Sequence, residues 1–153
     1  MWVKTMLIPI ALANGFVPPF TDHYQMSQRI VGIVEQGKQE ARKFGFPTAN
    51  VRLSGSAQLL PGVYCGKAEV NGKIYAAMSY FDDCASDTLE VHLFQFRGNL
   101  YHQMLIVTLT YFVRHPLSFE NEAIAKNQIK RDAEFCLNYL EGQEERKPLI
   151  DPS

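Results

Sequence analysis

The sequence predicts a mainly β domain, built as a closed or nearly closed β-barrel with one helix packed against it. The first observation is a hairpin signal, Asn71-Gly72, between two strand-like runs at residues 63–70 and 73–80. Both central positions of such a turn require a positive φ, which asparagine and glycine tolerate. The second is the strict alternation of apolar and polar residues over 89–93. The third is one set of apolar residues at helical spacing after residue 118. Antiparallel strands leave exposed edges unless the sheet closes, so a barrel is favoured.

Three further segments have strand character. Residues 28–34 carry β-branched side chains around a glycine, and residues 51–53 are expected to be extended. Residues 104–113 form a long apolar run that is rich in β-branched and aromatic side chains. Pro116 is expected to close this last strand, because proline cannot donate a hydrogen bond to the ladder.

The end of the chain predicts one amphipathic helix. Ser118 is a suitable N-cap, and Glu120 and Glu122 fall in the first turn, where the helix dipole favours negative charge. Gly142 is predicted to end the helix. The tail at residues 143–153 is charged and contains proline, so it is expected to be loose. The apolar stripe of the helix consists of Ala125, Ile129, Ala133, Cys136 and Leu140.

The composition indicates one globular domain. The chain has 153 residues, 46% of them hydrophobic, and a net charge of -1, so nothing favours nucleic-acid or membrane binding. Cys65, Cys84 and Cys136 are odd in number and lack CxxC spacing, which argues against a disulfide framework or a zinc site. We therefore expect reduced thiols in a cytoplasmic protein, and a monomer. A GxxxxGK[ST] sequence is absent, which excludes an ordinary P-loop kinase.

The first 25 residues leave three alternatives open. Lys4 precedes an apolar run at residues 6–13, which is near the size of the hydrophobic region of a signal peptide. Pro9 interrupts that run, so we favour an ordered arm or an over-called start with Met26 as the true first residue over a weak signal peptide. The predicted organisation is an arm at residues 1–25, a barrel-plus-helix domain at residues 26–142 and a tail at residues 143–153.

The stretch Gly45-Phe46-Pro47-Thr48-Ala49-Asn50 can place two oxygen donors side by side. Gly45 permits φ of either sign, and the residue before Pro47 is biased toward an extended conformation. Thr48 and Asn50 are two residues apart, so on extended chain they point the same way. Neutral oxygens beside phosphate oxygens and water suit Mg²⁺. On spacing alone, such a stretch is more often only a turn that leads into a strand.

The same stretch resembles the signature of the riboflavin kinase family, and the resemblance extends from about Arg29 to Leu140. It implies a six-stranded antiparallel Greek-key β-barrel with a C-terminal α-helix. It also implies transfer of the γ-phosphoryl group of ATP to the 5′-hydroxyl of riboflavin, which gives FMN. Further matches, in the family's order, are Gly62-Val63-Tyr64, Glu90-Val91-His92-Leu93, Gly98-Asn99-Leu100-Tyr101, Arg114, Phe119, Gln128-Ile129 and Asp132.

The resemblance implies the central chemical roles. Thr48 and Asn50 match the residues that hold the Mg²⁺ of the bound nucleotide. Glu90 matches the base that orients the ribityl hydroxyl and accepts its proton. From alternation alone, Glu90 would be an ordinary acid on the solvent face of a strand. His92 is expected to be a structural neighbour, since a strand histidine beside an acid is more often hydrogen-bonded than catalytic.

The resemblance also implies substrate contacts. Arg114 and Phe119, at the junction of the last strand and the helix, are expected to border the flavin. Apart from that role, they would be an ordinary surface arginine and a phenylalanine that docks the helix. The residues expected to bind the nucleotide are Gly37, Lys38, Arg42, Gly45, Pro47 and Thr48.

Two segments depart from the family's sequence. The glycine- and arginine-rich loop before the motif is replaced by Gly37-Lys38-Gln39-Glu40-Ala41, and the family's Asn-x-Gly-x-x-Pro-Thr segment by Ser79-Tyr80-Phe81-Asp82-Asp83. The alternative function is therefore a flavin- or nucleotide-binding module of the same fold with weakened or lost catalysis. The N-terminal adenylyltransferase domain of bacterial relatives has no counterpart in the sequence, so FAD synthesis is not expected.

Overall fold

The computed structural model describes residues 24–35, 48–54, 58–82 and 87–145. These residues form six β-strands and one α-helix. The strands are β1 (Tyr24–Glu35), β2 (Ala49–Arg52), β3 (Gly62–Val70), β4 (Lys73–Phe81), β5 (Thr88–Leu93) and β6 (Met104–Arg114), and the helix is α1 (Glu122–Glu145).

The six strands close into an antiparallel barrel with the order β1-β2-β5-β4-β3-β6. The first and last strands pair directly, from Tyr24 opposite Phe112 to Ile33 opposite Met104. This pairing removes the open sheet edges that would invite association with other chains. The non-sequential order, with β5 inserted between β2 and β4, is that of a Greek key. The predicted fold class, a six-stranded antiparallel barrel with a C-terminal helix, is confirmed.

The two local strand predictions are also confirmed. Asn71 and Gly72 adopt φ values of 52° and 77°, as the tight turn between β3 and β4 requires. In β5, Leu89, Val91 and Leu93 are buried while the two polar residues between them are half-buried. The alternation therefore sets which side chains of β5 fill the barrel and which lie on its outer surface.

All six strands contribute apolar side chains to the barrel interior. Gly66 on β3 permits the closest approach within this wall, because a Cβ at this position would lie 2.0 Å from the carbonyl oxygen of Thr108 on β6. The pairing of the two strands shifts register at the same point, between Cys65 and Gly66. The fully buried interior residues include Val51, Tyr64, Ala68, Leu89, Val91, Leu105, Val107, Leu109 and Phe112.

The helix α1 packs on the outer surface of the barrel against β3 and β4. All five residues of its predicted apolar stripe are buried, with exposures of 5% or less. Four of them, Ala125, Ile129, Ala133 and Cys136, form a second apolar cluster with Val63, Cys65, Met78, Tyr80 and Phe94 from the barrel wall, which we call the helix–barrel cluster. This packing of the apolar face stabilises the helix more than its helix propensity alone would.

Both predicted ends of the helix are wrong. Asn121, rather than Ser118, caps the N-terminus, since its side-chain oxygen accepts a hydrogen bond from the backbone N–H of Ile124 at 3.0 Å. Gly142 lies within the helix, which continues to Glu145. Gly142 lacks the positive φ that a glycine C-cap needs, and its position is open surface. A glycine inside a helix costs only about 1 kcal/mol relative to alanine, which the docked helix tolerates.

The described elements extend slightly beyond the boundaries expected for the domain. β1 begins at Tyr24, and this residue stacks on Phe112 with ring centroids 5.1 Å apart. Residues 1–23 of the predicted arm, which include its apolar run at residues 6–13, and Cys84 lie outside the described residues. Cys65 and Cys136 are buried and free, as predicted. Within the described ranges, no helix is long and apolar enough to cross a membrane.

Candidate active site

The strand register brings the two most important predicted residues together. Asn50 on β2 and Glu90 on β5 are directly opposite each other in the ladder. Their neighbours Ala49 and Val91 point into the barrel interior, so Asn50 and Glu90 share its outer face. Directly opposed residues of an antiparallel pair have Cβ atoms about 4.5–5.5 Å apart, so the two side chains are within reach of one molecule. Asn50 is only 5% exposed despite facing outward.

Thr48 lies immediately before β2, two residues from Asn50. Its hydroxyl oxygen is buried and has no hydrogen-bond partner among the described residues. A buried hydroxyl without a partner costs free energy, so such groups are rare unless a ligand completes them. The orphaned hydroxyl therefore marks a position where a bound group would be accommodated.

A cavity of about 260 Å³ opens beside Thr48. It is lined by His92 and Leu93 at the end of β5 and by the turn at residues 98–101. Gly98 in this turn has a φ of 133°, which a side chain would strain. Asn99 stabilises the turn by accepting a hydrogen bond from the backbone N–H of Tyr101 at 2.8 Å. Thr48 thus faces a preformed cleft with both apolar and polar walls.

The other side of Glu90 is occupied by β4. Tyr80 is directly opposite Glu90 in the ladder and is 2% exposed. The phenol of Tyr80 donates a hydrogen bond to Asp82 at 3.3 Å. Burial, followed by the charges of Asp82 and Glu90, raises the pKa of Tyr80 far above its usual value, while Arg114 opposes the shift. Tyr80 therefore remains a neutral hydrogen-bond donor.

Arg114 ends β6 and is fixed by the helix. Its Nη2 and Nε atoms donate to the carboxylate of Asp132 at distances from 2.7 to 3.1 Å, and its Nη1 atom donates to the carbonyl of His115. Gln128 adds a 3.0 Å hydrogen bond to the same carboxylate. The side chains of Arg114 and Asp132 are only 11% and 3% exposed, so this ion pair is buried. Arg114 is thus not an ordinary surface arginine.

The predicted site residues fall into three groups. Thr48, Asn50 and Glu90 lie together at one end of the β2–β5 pair. Arg114 lies at the end of β6, across β3 from Tyr80, and Phe119 packs against the helix–barrel cluster. The remaining predicted nucleotide contacts lie outside the described residues: Gly37, Lys38, Arg42, Gly45 and Pro47.

The donor set around Thr48 fits a magnesium ion. The described residues contain no cluster of three or more His, Cys, Asp or Glu that could hold a metal. Mg²⁺ does not require such a cluster, since it usually keeps several waters and binds through few protein oxygens together with substrate phosphates. The orphaned Thr48 hydroxyl and the neighbouring Asn50 amide supply neutral oxygens of this kind. These two residues would hold the ion.

Three parts of the site have positions that the sequence does not predict. The sequence indicates only a turn at residues 98–101 and only a structural neighbour at His92, yet both line the cavity. The sequence places Tyr80 in a segment that departs from the family's pattern and indicates no role for it. Its position directly beside Glu90, and separated from Arg114 by one strand, β3, depends on the ladder. No local pattern in the sequence indicates this pairing.

Comparison with protein families matches residues 24–140 to Flavokinase, described as riboflavin kinase. The chain belongs to the riboflavin kinase family. The bifunctional riboflavin kinase/FMN adenylyltransferase of Haemophilus influenzae is 32% identical over 138 residues, which cover 86% of this chain and 45% of that protein. The chain spans about half the length of the curated relatives it matches.

Solved structures agree with this family fold. Riboflavin kinase from Trypanosoma brucei superposes with a TM-score of 0.58 at 22% identity, over 77% of this chain and 82% of that one. A macrolide-efflux protein from Streptococcus pneumoniae superposes with a TM-score of 0.64 at 26% identity, over 72% of this chain and 38% of that one. Both structures therefore share the fold of this chain.

Proposed function

We propose that this protein is a riboflavin kinase, which transfers the γ-phosphoryl group of ATP to the 5′-hydroxyl of riboflavin and releases FMN and ADP. The observation that carries the proposal is the register of β2 and β5. It places Asn50 beside Glu90, with the orphaned Thr48 hydroxyl two residues away at the mouth of a cavity. Phosphoryl transfer depends mainly on positioning and charge neutralisation, and this arrangement offers both.

The nucleotide is assigned to the Thr48 side of the site. The cavity of about 260 Å³ is lined by apolar residues such as Phe96 and by polar residues such as Thr48 and Asn99, a mixture that suits a nucleotide. Mg²⁺, when bound by Thr48 and Asn50, would neutralise charge on the phosphate oxygens. On the family resemblance, we also assign nucleotide contacts to the chain before β2, at Gly37, Lys38, Arg42, Gly45 and Pro47.

Glu90 is assigned as the general base. Its carboxylate lies on the outer face beside Asn50, so a hydroxyl that contacts Glu90 also lies close to the phosphates held near Thr48 and Asn50. Glu90 would accept the proton of the 5′-hydroxyl as the oxygen attacks the γ-phosphorus. The half-buried position of Glu90 limits competition from water for the same phosphoryl group.

Riboflavin is assigned to the junction of β6 and the helix, which lies across β4 and β3 from Glu90. A second cavity of about 360 Å³ lies there, lined by Arg114, Asp132 and Phe135 among others. Arg114 is held rigidly by Asp132, so a flavin that contacts this guanidinium would meet a preorganised donor. Phe119 borders the helix–barrel cluster nearby and can supply an apolar edge.

We also propose that the protein acts as a monomer. Because ATP is the proposed phosphoryl donor, we also propose a cytoplasmic location and no requirement for nucleic acid.

The direct test is to incubate the purified protein with riboflavin, ATP and Mg²⁺ and to separate the flavins by chromatography. FMN should accumulate in the wild type, and Glu90→Gln should reduce kcat by about 10²–10⁴-fold, the usual contribution of a general base. Glu69→Gln is the matched control, because Glu69 is a half-buried acid on β3 that lies opposite Ile74 and Ile106. Riboflavin binding without FMN formation in the wild type would contradict the kinase assignment and indicate a binding module.

A further inference from the structure

The outer surface of the barrel carries an apolar patch on β1 and β6. Val31 and Ile33 of β1 and Met104 of β6 are 46%, 48% and 56% exposed. The ladder sets Ile33 opposite Met104, and it sets Val31 opposite the half-buried Ile106. Directly opposed residues of an antiparallel pair are neighbours on one face. We call these four residues the β1–β6 patch.

The patch faces away from the core. Ile30 and Val34 of β1 and Leu105 of β6 point into the barrel interior, so the alternation of side chains turns the patch outward. The helix does not cover this face, since α1 packs against β3 and β4. Single exposed apolar residues are ordinary, but four adjoining ones are typical of a surface that another segment or molecule covers.

A segment of matching chemistry precedes β1. Residues 6–13 contain only apolar side chains, and they lie in the part of the chain that leads to Tyr24, outside the described residues. The gap in the described ranges that follows β1, at residues 36–47, contains four charged residues and is a poorer match for an apolar surface. An apolar run that is tethered beside an apolar patch removes both from water when the two meet.

The chain between this run and β1 is long enough to reach the patch. Val31 is seven positions after Tyr24, which corresponds to about 23 Å along a strand. Ala13 is eleven positions before Tyr24, and this length of chain spans up to about 36 Å when extended. The connection contains Pro18-Pro19, a pair that is typical of turns and loops and suits a reversal of direction.

We propose that residues 6–13 fold back over the outer face of the barrel and bury the β1–β6 patch. The inference concerns the surface of the barrel and its stability, and it does not depend on the proposed kinase function. A second copy of this chain is the competing occupant. The tethered run has the advantage, because a short linker holds it at an effective concentration on the order of millimolar.

Two full-length variants remove the two sides of the proposed contact. The run variant carries Leu7→Ser, Ile8→Ser and Ile10→Ser. The patch variant carries Val31→Thr and Ile33→Thr, which keep the β-branched shape that suits a strand. On a bare surface the patch exchange would be nearly neutral. With the run docked, each variant should lower Tm by about 2–4 °C or more.

The combined variant tests whether the two sides touch. It should lower Tm by little more than either variant alone, because the contact can be lost only once. Leu137→Gln is the matched control, since Leu137 is a similarly exposed apolar residue, at 41%, on α1. Its effect on Tm should be the same in the wild type and in the run variant.

A second measurement observes the contact directly. The methyl groups of Ile, Leu, Val and Met are labelled with ¹³C in the full-length protein, and signals are assigned by single substitutions. Nuclear Overhauser contacts should join residues 6–13 to Val31, Ile33 and Met104 in the wild type. The methyl signals of the patch should move in the run variant, whereas those of Ile124 and Leu137, which are exposed on α1, should not.

Sedimentation velocity identifies the occupant. A monomeric wild type with coupled Tm losses and contacts between the run and the patch supports the proposal. A dimer that dissociates in the patch variant overturns it, because a second copy then covers the patch. Additive Tm losses, or a wild type without those contacts, also overturn it. If the patch variant does not fold, the run variant decides, because patch signals that stay in place when the run is altered overturn the proposal.

Discussion

The buried ion pair between Arg114 and Asp132 offers the sharpest test of how the helix is held on the barrel. Asp132→Leu removes a carboxylate that accepts three hydrogen bonds from Arg114 and one from Gln128. The guanidinium then remains in a position where its side chain is only 11% exposed. Breaking one side of a buried pair typically costs about 3–5 kcal/mol, because the other charge stays buried without compensation.

The expected loss is large enough to measure by thermal unfolding. For a domain of this size, each kcal/mol lowers Tm by about 2–4 °C, so Asp132→Leu should lower Tm by about 6–20 °C. Arg114→Met should cause a loss of similar size, since it leaves the Asp132 carboxylate buried instead. The double variant Arg114→Met/Asp132→Leu should recover most of the stability, because apolar residues of similar volume often replace a buried pair at little cost.

The double variant also separates stability from function. If Arg114 borders the flavin, the stable double variant should bind riboflavin more weakly while its affinity for Mg·ADP is retained. Two findings would refute the reasoning. Strictly additive losses of Tm in the double variant would show that the two charges do not stabilise each other. Unchanged riboflavin affinity in the folded double variant would remove Arg114 from the flavin site.

Three further predictions concern other parts of the chain. Thr48→Val should leave the ligand-free Tm unchanged or slightly raised, because the buried hydroxyl has no partner among the described residues. The same variant should bind Mg·ADP more weakly, as measured by calorimetry. An equal loss of riboflavin binding would indicate local misfolding instead. Gly66→Ala should prevent stable folding, judged by circular dichroism, since its Cβ would lie 2.0 Å from the Thr108 carbonyl oxygen; a native Tm would contradict this. Deleting residues 1–23 should leave an active barrel, as β1 begins at Tyr24; an insoluble or inactive product would contradict this.

The strands were predictable because their signals are local. The Asn71-Gly72 turn needs only its own backbone conformation, and the alternation of β5 needs only one buried face. The helix stripe was predictable for the same reason. The helix ends were not, because Ser118 and Asn121 are both good capping residues and only the path of the chain after β6 decides between them. The predicted helix end at Gly142 is wrong because a surface glycine tolerates both the helical conformation and the positive φ of a C-cap.

The candidate site was only half predictable for a related reason. Thr48 and Asn50 are neighbours in sequence, so the motif alone indicates a shared oxygen site. Their partner Glu90 lies forty positions later, and its place beside Asn50 follows from pairing between β2 and β5, which no local pattern determines. The same holds for Tyr80 and for the cavity wall at residues 98–101, because strand order decides what they face. Family resemblance supplied the role of Glu90, while the ladder supplies its neighbours.

The register that builds the site is itself fixed by the barrel core. Ala49 and Val51 flank Asn50, and Leu89 and Val91 flank Glu90; all four are buried in the interior with exposures of 6% or less. Side chains alternate with a period of two, so a slip of one residue in β2 would turn Asn50 inward and move its two apolar neighbours onto the outer face. Burying an amide among apolar side chains and exposing two apolar ones are both unfavourable. The hydrophobic core therefore selects the one pairing that brings the proposed metal ligand and the proposed base together.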